Sequence, residues 1–123
     1  MQIILNGGST GTHEVTTTGV VYPITTPVLA FGVIDAGGQV EVDAGMSANL
    51  RARLMYRFYG TDDSQSAGTW SAVGTYQTGP GKSFQGGQVT GAGLRVQLGI
   101  ELSMSSGTSI GRGRLGYPIL VTK

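Results

Sequence analysis

Between residues 49 and 59, Leu50, Ala52, Leu54, Tyr56 and Phe58 fall on every second position, with Arg51, Arg53, Met55 and Arg57 between them. Between 94 and 103, Leu94, Val96, Leu98, Ile100 and Leu102 alternate in the same way with Arg95, Gln97, Gly99 and Glu101. An extended chain points successive side chains to opposite faces, so each stretch has one apolar and one polar face. The two are expected to pair as the central strands of a sheet with one side on the core. A helix competes at the first stretch, because Leu50, Leu54 and Phe58 also sit four apart and Ser47 could cap it. Unbroken alternation, the aromatic residues and the lack of any other helical pattern favour a strand.

The rest of the chain reads as shorter strands between turn signals. Gln2 to Leu5 is apolar and ends at Asn6-Gly7-Gly8. His13 to Tyr22 is expected to be one strand with a bulge at Gly19, and Pro23 and Pro27 mark a turn or a sheet edge. Val28 to Ile34 is apolar nearly throughout and should be covered on both faces. Asp35-Ala36-Gly37-Gly38 reads as a turn, after which Val40, Val42 and Ala44 point in and Gln39, Glu41 and Asp43 out. If this stretch forms a hairpin with the next, Glu41 and Asp43 lie across from Arg51 and Arg53. That arginine row is either a charge-paired, solvated face or a docking surface for an acidic partner.

Residues 60–69 are a polar loop, and Trp70 to Tyr76 returns as a strand. Gly79-Pro80-Gly81 is a turn, Ser83 to Thr90 a weak strand broken by Gly86 and Gly87, and Gly91-Ala92-Gly93 another turn. Ser105 to Gly116 reads as a glycine-rich loop carrying Ile110, Arg112 and Arg114. Tyr117 to Thr122 closes the chain as a strand whose Pro118 indicates an edge. Eight or nine strands at spacings of about ten residues, without helical periods, predict an all-β fold. The expected architecture is a single antiparallel β-sandwich domain of jelly-roll type over residues 1–123.

Composition sharpens this picture. The 123 residues include 22 Gly and no Cys, which fits tight turns and rules out disulfides and thiolate metal sites. The net charge of +1, with 12% charged residues, lacks the basic excess that neutralising phosphates requires, so no nucleic-acid partner is expected. No apolar run approaches the length of a membrane span, and the start of the chain lacks the charged and apolar regions of a leader; no membrane partner is expected.

Candidate chemistry is sparse. His13 beside Glu14 is the one histidine, without a nucleophile nearby in the sequence, and a surface position is its default. Asp62-Asp63-Ser64 could form part of a Ca²⁺ loop but lacks further spaced carboxylates, and these are ordinary turn residues. Glu41, Asp43 and Glu101 fall on the polar phase of their strands, unlike a glycosidase acid held in an apolar pocket. Gly111-Arg112-Gly113-Arg114 faintly resembles an arginine-glycine nucleic-acid segment, with too few arginines to act as one. Trp70 is either a core anchor or a platform for a sugar ring. We therefore expect no enzymatic activity, cofactor or metal, and Arg51, Arg53, Arg57, Trp70, Arg112 and Arg114 as candidate interaction residues.

The chain's size, lack of Cys and glycine- and threonine-rich sandwich pattern resemble small virion proteins of tailed bacteriophages, above all decoration or cement proteins of the capsid. The resemblance spans the whole chain and rests on no motif, so no residue role carries over. It implies a non-enzymatic virion protein, made in the host cytoplasm, that binds the major capsid protein or another virion protein. It also implies a homo-oligomer, with a trimer favoured. A carbohydrate- or receptor-binding module of a fibre or tail is the alternative, and would be marked by Trp70, Tyr76 and Tyr59 exposed in one patch.

Overall fold

The alternating stretches pair as expected. In the computed structural model, which describes residues 2–8, 11–15, 20–43, 50–60, 68–104 and 110–122, Leu50–Tyr59 runs antiparallel to residues 95–104, from Leu50 opposite Met104 to Tyr59 opposite Arg95. Nine strands are present among the described residues, and no helix. They are β1 (Gln2–Asn6), β2 (His13–Val15), β3 (Val20–Pro23), β4 (Val28–Val42), β5 (Leu50–Tyr59), β6 (Ser71–Ala72), β7 (Gln77–Thr78), β8 (Gly81–Met104) and β9 (Gly111–Thr122).

Two layers result. The first holds β1 and β2 end to end beside β9, then β4, then the first half of β8. The second holds β3, the second half of β8, β5, and then β6 and β7 end to end. Long β8 serves both layers, and β3 and β4 run along it almost continuously. The four antiparallel partnerships (β1 and β2 with β9, β3 with β8, β4 with β8, β5 with β6 and β7) make this a jelly roll, the double-sheet solution that limits exposed strand edges.

The core lies between the layers. Leu50, Ala52 and Leu54 from β5 and Val96, Leu98, Ile100 and Leu102 from β8 are all completely buried, facing Ile34, Val40 and Val42 of β4 and Leu115 and Leu120 of β9. Each large aliphatic side chain removed from water contributes about 1.5–3 kcal/mol. Gly113 lets the layers approach here. A Cβ on it would sit 2.8 Å from Leu102 Cδ2 and 2.8 Å from the Glu41 carbonyl oxygen.

Several glycine stretches that read as turns are strand instead. Residues 35–38 continue β4, with a register shift against β9 between Gly37 and Gln39. Residues 91–93 lie inside β8, where Gly32 pairs with Gly91 and Ala30 with Leu94, so β8 carries an extra residue. This bulge changes the phase of the strand: the side chains turned to the core are Gln85 and Val89 before it, but Val96, Leu98, Ile100 and Leu102 after it. Residues 111–116 belong to β9 rather than to a loop. Pro118 is not at an edge, because β9 has β1 and β2 on one side and β4 on the other. It occupies the irregularity of β9 opposite Gly38, beside Tyr117 at φ 52, and its carbonyl accepts a hydrogen bond from Gly7. His13 to Tyr22 divides into β2 and β3, which lie in different layers, and the expected bulge at Gly19 lies outside the described residues. Trp70 to Tyr76 is strand only at β6. No hairpin joins β4 to β5: β4 lies between β8 and β9.

Candidate functional site

The outward phase of β5 carries Arg51, Arg53, Met55, Arg57 and Tyr59, and the outward phase of β8 beside it carries Ser103, Glu101, Gly99, Gln97 and Arg95. Two rings supplied by residues 70–76 lie over this face. Tyr76 is held between two guanidinium groups, with Arg51 and Arg53 each 4.3 Å from its ring centroid. Glu101 ties this end together, accepting from Arg53 Nε at 2.7 Å and from the Tyr76 hydroxyl at 2.6 Å. Burial, and next the hydrogen bond to Glu101, hold the Tyr76 phenol above its ordinary pKa of 10.0.

Arg57 organises the other end. Its guanidinium lies 4.3 Å from the Trp70 ring, while Nε donates to Gln97 Oε1 at 2.8 Å and Nη2 to the Tyr59 hydroxyl at 2.9 Å. Gln97 is itself fixed by donating to the Thr25 carbonyl. The edge of the Trp70 indole packs on Gly99, where a Cβ would come within 2.7 Å of the indole and 2.8 Å of the Tyr22 carbonyl. Met55, directly opposite Gly99, is buried although it points away from the core. Trp70 is thus half-buried on the outside of the sandwich: its edge packs on Gly99 and its face carries Arg57.

The outer face of the first layer is built differently. Arg112 Nε bonds Glu14 at 2.9 Å, and Arg114 Nη2 bonds Glu41 at 2.8 Å, both as directly opposed cross-strand pairs. Lys82 stands 3.8 Å from the same Glu41. The hydrogen bond to Glu41 is the first cause of a raised Arg114 pKa. Phe84, 68% exposed, leans over Gly37 toward Ile119. His13 of β2 stacks on Tyr22 of β3 with centroids 4.6 Å apart.

Four of the six candidate residues therefore share one face: Arg51, Arg53, Arg57 and Trp70. Arg112 and Arg114 lie on the opposite sheet, and Glu41 pairs with Arg114 and Lys82 rather than with the β5 arginines. The face also includes Glu101 and Gln97, absent from the sequence-derived candidates. Their signal was present: once β5 and β8 pair in this register, Arg53 stands opposite Glu101 and Arg57 opposite Gln97. Asp62, Asp63 and Ser64 lie outside the described residues. Among the described residues, no group of three or more His, Cys, Asp and Glu side chains could hold a metal ion. Two open clefts of about 350 and 310 Å³ are lined by residues 73–75 with 84–86, and by Glu41, Val42, Pro80, Gly81 and Lys82.

The fold and this face define a jelly-roll β-sandwich with an arginine-aromatic outer surface. No family model and no curated protein matches the chain. Solved structures do. The VP2 subviral particle of infectious bursal disease virus matches over 95% of this chain and 30% of that chain, at 13% identity and a TM-score of 0.67. The structure of the Gx strain of the same virus matches over 95% and 31%, at 14% identity and a TM-score of 0.67. The CBM22-1 xylan-binding domain of Paenibacillus barcinonensis Xyn10C matches over 98% and 94%, at 14% identity and a TM-score of 0.50. The chain thus spans about a third of the viral chains it resembles. At these identities the likeness establishes the fold, a β-sandwich shared by viral capsid proteins and a carbohydrate-binding module.

Proposed function

We propose that this chain is a non-enzymatic structural protein of a virion: a capsid decoration or cement protein that binds the major capsid protein and stabilises the assembled shell. The observation that carries this reading is the jelly roll itself, similar over 95% of the chain to domains of proteins solved as virus particles. The outer faces support it. Their side chains are locked to one another by ion pairs and ring contacts, leaving broad surfaces suited to contact with another protein. Such a protein works by mass action, since a partner that binds only the assembled shell stabilises that state. It is made in the host cytoplasm and carried in the particle, as a homo-oligomer for which a trimer is favoured.

The test has two parts. Light scattering coupled to size exclusion gives the oligomeric state of the purified chain. Co-sedimentation with tailed-phage capsids, with and without added chain, gives attachment and the temperature at which the shells disrupt. Attachment with a raised disruption temperature is the expected result. A monomer that sediments with no shell rejects the proposal.

A second reading, a carbohydrate- or receptor-binding module, is favoured by one observation: Trp70, Tyr76 and Tyr59 share a face and are all half-exposed. Against it, the faces of all three rings already carry guanidinium groups. A glycan array together with titration of Trp70 fluorescence decides it. Saturable quenching by an oligosaccharide, abolished by Trp70→Ala, would establish the module.

A further inference from the structure

Charge is distributed unequally between the two outer faces. On the first layer, Arg112 and Arg114 each meet a carboxylate. On the second, Glu101 is taken up by Arg53 and Tyr76. Among the described residues no carboxylate lies within ion-pair distance of Arg51 or Arg57. Both are held in place nonetheless. Arg51 rests on Tyr76, and Arg57 is fixed by Trp70, Gln97 and the Tyr59 hydroxyl. Arg51 Nε is shut away from solvent with no acceptor among the described residues, so this guanidinium has already given up part of its hydration. A weakly hydrated, immobilised fork loses little further freedom or water when a carboxylate arrives.

We propose that the outer face of β5 and β8 is a docking surface for an acidic, extended segment of a partner protein, gripped at two points by Arg51 and Arg57. The geometry fixes what fits. The two arginines share the outward phase of one strand, six residues apart, which is about 20 Å along an extended chain. A partner strand laid along β5 repeats at the same spacing and can present one carboxylate to each end. A helix advances only about 9 Å over six residues, so carboxylates at that spacing would reach both ends from an extended segment and one end alone from a helix. Between the two points lie Arg53, already neutralised by Glu101, and buried Met55, so the middle of the site needs no charge from the partner. This inference rests on the reading of the chain as an assembly component, and supplies the chemistry of the surface it recognises.

The test uses the full chain and three short β-prone peptides: one with two Asp residues six positions apart, an isomer with the two Asp adjacent, and the Asn version of the first. Affinities are measured by calorimetry at low salt. The spaced acidic peptide should bind about tenfold more tightly than either of the others, and lose that advantage as salt is raised. Arg51→Gln and Arg57→Gln should each weaken it about tenfold, whereas Arg112→Gln on the opposite face should change it by less than about twofold. Arg51→Lys, which keeps the charge, provides a second variant should Arg51→Gln unfold.

Equal affinity for the three peptides, no binding at all, or an equal loss with Arg112→Gln overturns the proposal. So does binding of a polyuronate in place of the peptides, which would make the face a site for acidic polysaccharide. The two readings fail separately. A chain that binds the spaced peptide but attaches to no shell rejects the assembly role and leaves the surface standing. Attachment to shells that survives loss of both arginines does the reverse.

Discussion

Tyr76 has the clearest titration consequence on this surface. Its phenol is raised above 10.0 because it is desolvated and donates to Glu101. In the folded chain the neutral form is therefore favoured more than in the unfolded chain. That preference contributes fully below the unfolded value, near pH 10, and fades as pH rises through the higher folded value. Stability should fall in the alkaline range above about pH 10, and Tyr76→Phe should reduce that fall, as read by urea midpoints across the range. An unchanged alkaline slope in the variant would show that other groups govern it. Gln85 makes a second residue-scale case. It points inward from β8, accepts the Leu54 amide at 2.9 Å and donates to the Thr75 carbonyl. It thereby fills the gap where residues 73–76 leave β5 between β6 and β7. Gln85→Leu keeps the volume and strands the amide, so it should cost about 1–3 kcal/mol in denaturant unfolding. A loss below about 0.5 kcal/mol would mean that water replaces the side chain.

At the scale of elements, β5 and the second half of β8 form the centre of the fold. Leu98→Ala empties a fully buried site between the layers and should cost about 2–5 kcal/mol. Gly113→Ala tests the closeness of the layers, because its methyl would press on Leu102 and on the backbone of β4, at a cost of about 1–3 kcal/mol. Both are measured by chemical unfolding, and a neutral Gly113→Ala would show that β9 can shift. These strands also mark how far the sequence could be read. Leu50 to Phe58 and Val96 to Leu102 were legible because one face is apolar at every step, and a one-residue slip would turn that whole face to solvent. The glycine-rich stretches misled for a physical reason. Turn chemistry at 35–38, 91–93 and 111–114 is local information, whereas the glycines there serve non-local needs: a ring lying on Gly37, a bulge that resets the phase of β8, and the approach of two layers at Gly113. The pairing of Glu41 with Arg114, 73 residues away, was hidden in the same way. The arginine row was visible in its phase, but Tyr76 and Trp70 reach it from a neighbouring edge, and no spacing rule encodes that approach.

At the scale of the molecule, the pairings set how the chain must fold. Gln2 meets Thr122, Val20 meets Leu102, Ile34 meets Thr122 and Arg51 meets Ser103, so nearly every ladder joins distant parts of the sequence. Each such closure costs chain entropy before any contact rewards it. β8 meets this cost at both ends, since β3, β4 and β5 all depend on it. Refolding should therefore take milliseconds to seconds, in the range of all-β domains rather than of helical bundles. Trp70, the one tryptophan in the chain, reports on it directly, because its indole reaches Gly99 and Arg57 only when residues 70–72 have joined β5 and β8. Stopped-flow fluorescence after dilution from urea should follow a slow rise that coincides with the recovery of strand circular dichroism, since a jelly roll with one shared core has no part able to form alone. Recovery of Trp70 emission within microseconds, or well ahead of the strand signal, would mean that the hairpin carrying Trp70 assembles by itself and that β8 is not the element on which the two layers are built.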